Sequence, residues 1–211
     1  SGKSTVINSL LEYPLMPTCK LTTTCVGTHI FYGEHPKISV IDDDTGKQVM
    51  TVDCRNISEA HFQKLKEYAC ITTRVKLIEN LQHFTSLNLF DNKDALKPNM
   101  LEMYKDNPNH VIILLMILLT VYVDQNSKEK SQKALVANKK REEVLKFFHF
   151  NPNTVNYTIK LQWNGEFLKN GMTITDLPGL GAYAPDKDMG EGKVLKGHDS
   201  ISTEAIKNTD V

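Results

Sequence analysis

The spacing of apolar and polar positions switches between helical and extended periodicity along the chain. Val6, Ile7, Leu10 and Leu11 share one face of a helix that begins near Thr5, and Tyr13-Pro14 stops it. Pro17 to Thr24 is a threonine-rich loop with little periodicity. Strands are predicted at Val26–Tyr32, Lys37–Ile41 and Gln48–Val52, with Asp42-Asp43-Asp44-Thr45-Gly46 as the hairpin turn between the last two. Asn56-Ile57-Ser58-Glu59 reads as a capping box. Phe62, Leu65 and Ala69 continue at helical spacing, and that helix extends to about Phe84. Leu96–Tyr104 is a further short helix by the same reading.

Val111–Val123 is apolar apart from Thr120. As a helix it covers about 20 Å, short of a hydrocarbon core of about 30 Å, so it is expected as a buried helix or strand. Ser127–Phe150 reads as a charged helix, and Lys139-Lys140-Arg141 beside Glu142-Glu143 as its solvated face. Thr154–Trp163 alternates like a strand, and Asn164-Gly165 and Asn170-Gly171 are turn signals. Met172–Thr175 is a short strand that runs into Asp176-Leu177-Pro178-Gly179.

Composition changes this picture little. The 211 residues suit one domain, or one domain with a large insertion, and 40% are hydrophobic, enough for a core. Lysine and arginine balance aspartate and glutamate at 25 each, which removes the basic footprint of a nucleic-acid binder. Cys19, Cys25, Cys54 and Cys70 are unevenly spaced without a Cys-x-x-Cys, as expected of reduced thiols in a cytoplasmic protein.

Chemistry concentrates in three short segments. In Ser1-Gly2-Lys3-Ser4-Thr5, Gly2 allows close backbone approach to a phosphate and Lys3 supplies a point charge. The Ser4 hydroxyl can ligate Mg²⁺, and the helix that starts here points its N–H groups and positive dipole end at an anion. Asp176-x-x-Gly179 follows a β-prone segment. Its carboxylate can hold Mg²⁺ through the water shell, and the Gly179 amide can approach a γ-phosphate. Between them, Thr22-Thr23-Thr24 lies in a loop before a strand, where a segment that closes over a nucleotide would place a hydroxyl.

With these elements in place the sequence resembles the G domain of the dynamin superfamily, particularly bacterial dynamin-like proteins. The resemblance is carried by Ser1 through Leu11, Leu15-Met16-Pro17-Thr18 with Thr22-Thr23-Thr24, Ile30-Phe31-Tyr32-Gly33, and Gly171 through Leu180. It implies a three-layer α/β/α P-loop NTPase fold and GTP hydrolysis with Mg²⁺. It places Ser1, Gly2, Lys3, Ser4 and Thr5, with Asp176 and Gly179, around the nucleotide. Ser1 and Lys3, with Thr23 or Thr24 as the switch threonine, are the implied catalytic groups. Ser4, Asp176 and the same threonine are the implied metal ligands. It further implies guanine nucleotide as ligand, self-association through the G domain, and membrane remodelling by regions outside these residues, in a cytoplasmic or membrane-peripheral protein.

Position 180 is leucine where many small GTPases carry a water-orienting glutamine, a departure that agrees with dynamins. Two departures run the other way. Residues of about 70–150 form a helical insertion longer than expected between the second and third motifs. No [NT]-K-x-D string, which reads guanine, follows Asp176. The chain is therefore expected to be a G domain truncated at both ends, lacking the first half of its P-loop and inactive on its own. Rival readings are a nucleotide-binding assembly module that hydrolyses poorly, or an ATPase of another P-loop family.

Overall fold

The computed structural model describes residues 2–17, 26–74, 109–121, 131–178, 186–190, 192–197 and 200–203. The helix predicted at Leu96–Tyr104, and any extension of the preceding helix to Phe84, lie outside them. Helices are α1 (Lys3–Leu10), α2 (Glu59–Arg74), α3 (Asn109–Thr120) and α4 (Ser131–Phe147). Strands are β1 (Gly27–Tyr32), β2 (Lys37–Asp42), β3 (Gln48–Asp53), β4 (Tyr157–Trp163) and β5 (Ile174–Asp176), with a small hairpin of β6 (Lys187–Gly190) and β7 (Lys193–Leu195).

The five-stranded sheet has the order β3-β2-β4-β1-β5. β1 pairs in parallel with β4, Ile30 opposite Leu161, and antiparallel with β5, Thr28 opposite Asp176. β2 pairs antiparallel with both β3 and β4. The predicted hairpin turn joins β2 to β3. Asp42 Oδ1 accepts the N–H groups of Asp44 and Thr45 at 3.0 and 2.9 Å, and Gly46 takes the left-handed φ of 66° that the turn needs.

Because side chains alternate across a strand, these registers decide which residues share a face. One face carries Asp176, Thr28, Ile159 and Val40 in one row and Ile174, Ile30, Leu161 and Ile38 in the next. All of these are buried except the half-buried Ile174. The opposite face carries Thr175, His29, Lys160, Ser39 and Thr51, with exposed His29–Thr175 and Ser39–Thr51 hydrogen bonds. Of the three layers expected, the described residues supply the sheet and one helical layer, on the apolar face.

α3 is the centre of that layer. Val111 through Leu119 are all buried, as the uninterrupted apolar run predicts, and no described helix is long and apolar enough to cross a membrane. A helix buried this deeply must still satisfy its last carbonyls. Arg141 of α4 donates from Nε to the Leu118 carbonyl at 2.8 Å and from Nη2 to the Tyr157 hydroxyl at 2.7 Å. Tyr157 in turn donates to the Leu119 carbonyl at 2.7 Å, and the buried Tyr68 hydroxyl donates to the Val121 carbonyl at 3.0 Å. Arg141 therefore does not belong to a solvated basic face: it points inward and closes α3. Lys140 does face outward, bridging Glu67 of α2 at 2.7 Å.

Other boundaries shift for local reasons. α1 begins at Lys3 because Gly2 serves as its N-cap, and α2 is capped by Ser58, whose Oγ accepts the His61 N–H at 3.3 Å. The predicted box at Asn56 is instead the last residue of a single 3₁₀ turn, Cys54–Asn56. The strand expected at Met172–Thr175 is Ile174–Asp176, since those residues find partners on β1.

Replacing Arg141 by Met keeps most of the stem's packing and removes the donors. The expected result is a loss of about 1–3 kcal/mol in unfolding free energy, the cost of leaving buried acceptors unpaired. Chemical denaturation checks it, and an unchanged midpoint would show that α3 does not depend on this cap.

Candidate functional site

α1 starts at the edge of the sheet, over the end of β5. Gly2 has φ of 103°, a left-handed backbone that suits glycine, with no side-chain cap. The first bond within the helix runs from the Val6 N–H to the Gly2 carbonyl at 3.0 Å. The N–H groups of Lys3, Ser4 and Thr5 therefore precede the helical ladder and face outward from its positive end. Gly2, Lys3 and Thr5 are exposed and Ser4 is half-buried.

Asp176 closes the other side. It is the last residue of β5, only 3% exposed, and accepts a long hydrogen bond of 3.5 Å from the Ser4 hydroxyl across 172 residues of sequence. Burial pushes the Asp176 carboxyl above the usual carboxylate range, and the Lys3 charge and the Ser4 bond pull the other way. A buried carboxylate with a hydroxyl beside it is a pair of hard-oxygen donors, and the Lys3 charge nearby suits a phosphate. The pair suits a magnesium ion that keeps its remaining positions for water and phosphate. Among the described residues no cluster of three or more His, Cys, Asp or Glu side chains could hold a metal ion.

The loop after α1 is fixed with equal care. Asn8 makes a paired contact with Met16, accepting its N–H at 2.7 Å and donating to its carbonyl at 2.9 Å. Tyr13 packs on Trp163 with ring centroids 5.2 Å apart. Beyond Asp176, the Ser202 hydroxyl donates to the Pro178 carbonyl at 2.7 Å and ties down the chain two residues after the carboxylate. Sequence reasoning singled out neither Asn8, Trp163 nor Ser202. Asn8 could have been found as a polar residue within an apolar helical stretch, whereas Ser202 has no local signal.

The structure thus brings together Gly2, Lys3, Ser4, Thr5 and Asp176 of the predicted site. Ser1, Thr23, Thr24 and Gly179 lie outside the described residues. The flanks of the threonine segment are described: Met16 is held by Asn8, and Gly27 opens β1.

A glycine-capped helix N-terminus facing a buried carboxylate at a strand end, on a mixed α/β scaffold, is the arrangement of a P-loop nucleotide-binding domain. The sequence model of the dynamin family matches residues 1–211, the whole chain. The protein belongs to the dynamin family, and this region is its GTP-binding G domain. No curated protein and no solved structure matches the chain.

Asn8→Ala should cost about 1–3 kcal/mol of stability, because the two hydrogen bonds from its side chain to the backbone of the buried Met16 are lost. Urea unfolding measures this, and a change within about 0.3 kcal/mol would show that the loop does not depend on the Asn8 side chain.

Proposed function

We propose that this domain hydrolyses GTP in a magnesium-dependent reaction centred on Lys3, Ser4 and Asp176. The observation that carries the reading is the Ser4–Asp176 contact. It joins the phosphate-binding end of α1 to the one buried carboxylate at the end of β5. Lys3, beside the free N–H groups of α1, would bind the β- and γ-phosphates. Ser4 and Asp176 would hold magnesium, the latter through water, and magnesium bound there would neutralise charge on the phosphate oxygens. Attack of water on the γ-phosphate asks little covalent chemistry of the protein, so positioning and charge carry the rate. Thr23 or Thr24 would close over the nucleotide from the segment between Met16 and β1, and Ser1 would stabilise charge on the transferred group.

Membership of a family whose G domains are GTPases supports this reading over an ATPase or a hydrolysis-poor module. Self-association through the G domain, with membrane remodelling by other regions, completes the proposal. The helices between β3 and β4 would then be an insertion that buttresses the sheet from one side.

Single-turnover GTP hydrolysis by the full-length protein, with ATP as competitor, tests it. Lys3→Ala should slow the step about 10²- to 10³-fold, the usual effect of removing one transition-state donor. An unchanged rate would sink the enzymatic reading, and stronger competition by ATP than by GTP would sink the guanine assignment.

A further inference from the structure

β1 contributes one residue to the floor of this site that the nucleotide chemistry above does not use. Thr28 is directly opposite Asp176 in the antiparallel β1–β5 register, so both side chains leave the sheet on the same, apolar face. Directly opposed Cβ atoms lie about 4.5–5.5 Å apart, within reach of a side-chain hydrogen bond. Thr28 is 0% exposed, and its hydroxyl oxygen has no hydrogen-bond partner among the described residues.

Such a hydroxyl is costly where a valine of the same shape would incur no penalty. Its neighbours along the row are apolar on one side, Ile159 of β4, and Asp176 on the other. Asp176 is the complementary case. It is a buried carboxylate with capacity for several donors, and its one hydrogen bond among the described residues is the long one from Ser4.

We propose that Thr28 is a positioning residue of the nucleotide site: its hydroxyl donates to the Asp176 carboxylate and fixes the oxygen that faces Ser4. Forming that bond asks for a change in side-chain conformation and none in register, since Thr28 and Asp176 already face each other across the β1–β5 pair. Held from beneath by Thr28, the carboxylate presents a constant orientation to the metal shell. Residues behind a ligand commonly set metal affinity in this way. The inference rests on the reading of Asp176 as the metal-shell carboxylate.

The test has two arms, both on the full-length protein. The first is the thermal midpoint without nucleotide or magnesium, for Thr28→Val and Thr28→Ser on the Asp176 and Asp176→Ala backgrounds. With Asp176 present, Thr28→Val should lower the midpoint and Thr28→Ser should hold it. With Asp176→Ala, Thr28→Val should raise it, since the hydroxyl then has nothing to bond. Shifts of the same sign on both backgrounds overturn the proposal. The second arm is binding of a fluorescent guanine nucleotide as a function of Mg²⁺ concentration. Thr28→Val should raise the half-saturating Mg²⁺ about tenfold and Thr28→Ser should leave it unchanged. An unchanged value for Thr28→Val, where Asp176→Ala shifts it, overturns the positioning role. If Asp176→Ala itself leaves the Mg²⁺ requirement unchanged, the metal reading of Asp176 fails, while the unfolding comparison still decides the hydrogen bond. Should the double variant fail to fold, the Mg²⁺ values of Thr28→Val against Thr28→Ser decide it.

Discussion

The pairing of β1 with its two neighbours is the constraint on which the site depends. β1 is held in parallel by β4 and antiparallel by the three residues of β5. That short second register carries Asp176 to the edge of the sheet and turns its side chain toward α1. A slip of one residue would move Asp176 to the polar face, beside His29, and bring Thr175 under α1 instead. The register is defended on the apolar side: Thr28, Ile30, Ile159 and Leu161 lie under the helices and cannot exchange places with His29 or Lys160 without burying charge.

The helical layer supplies the other half of the constraint. A helix as apolar as α3 gains by burial on every side, and its cost is concentrated at its ends, where carbonyls have no ladder partner. Arg141, Tyr157 and Tyr68 meet that cost from three different elements. Tyr157 opens β4, so the device that closes α3 also ties it to the strand beside β1. Burial of the sheet's apolar face and placement of the site are therefore one packing problem.

Much of this was legible along the chain. The apolar stretch of α3 announced burial, the alternation within Thr154–Trp163 and Lys37–Ile41 announced strands to within a few residues of their observed ends, and Asp42 through Gly46 announced the hairpin by the acceptor and glycine that such a turn demands. The phosphate end of α1 and the carboxylate of Asp176 at a strand end were visible as local patterns. What was not visible depends on pairing across long separations. The parallel register of β1 and β4 has no local signature, and neither does the bond between Ser4 and Asp176. Arg141 misled for the same reason: a basic residue beside Lys140 and Glu142 looks solvated until the helix end it serves is known. Ser202 gives its hydrogen bond to the carbonyl of Pro178, 24 residues away, which composition and periodicity do not register.

The central claim is that the N-terminal end of α1 and the end of β5 hold one ion together with the nucleotide. Iron-mediated cleavage tests it most directly, with Fe²⁺ in place of Mg²⁺ and a non-hydrolysable GTP analogue bound to the full-length protein. Peroxide and ascorbate then generate radicals that cut the backbone beside the metal. The account predicts paired, nucleotide-dependent cuts at Lys3–Thr5 and at Thr175–Leu177, suppressed by excess Mg²⁺. Cuts confined to other segments, or cuts at one of these two sites without the other, would contradict it.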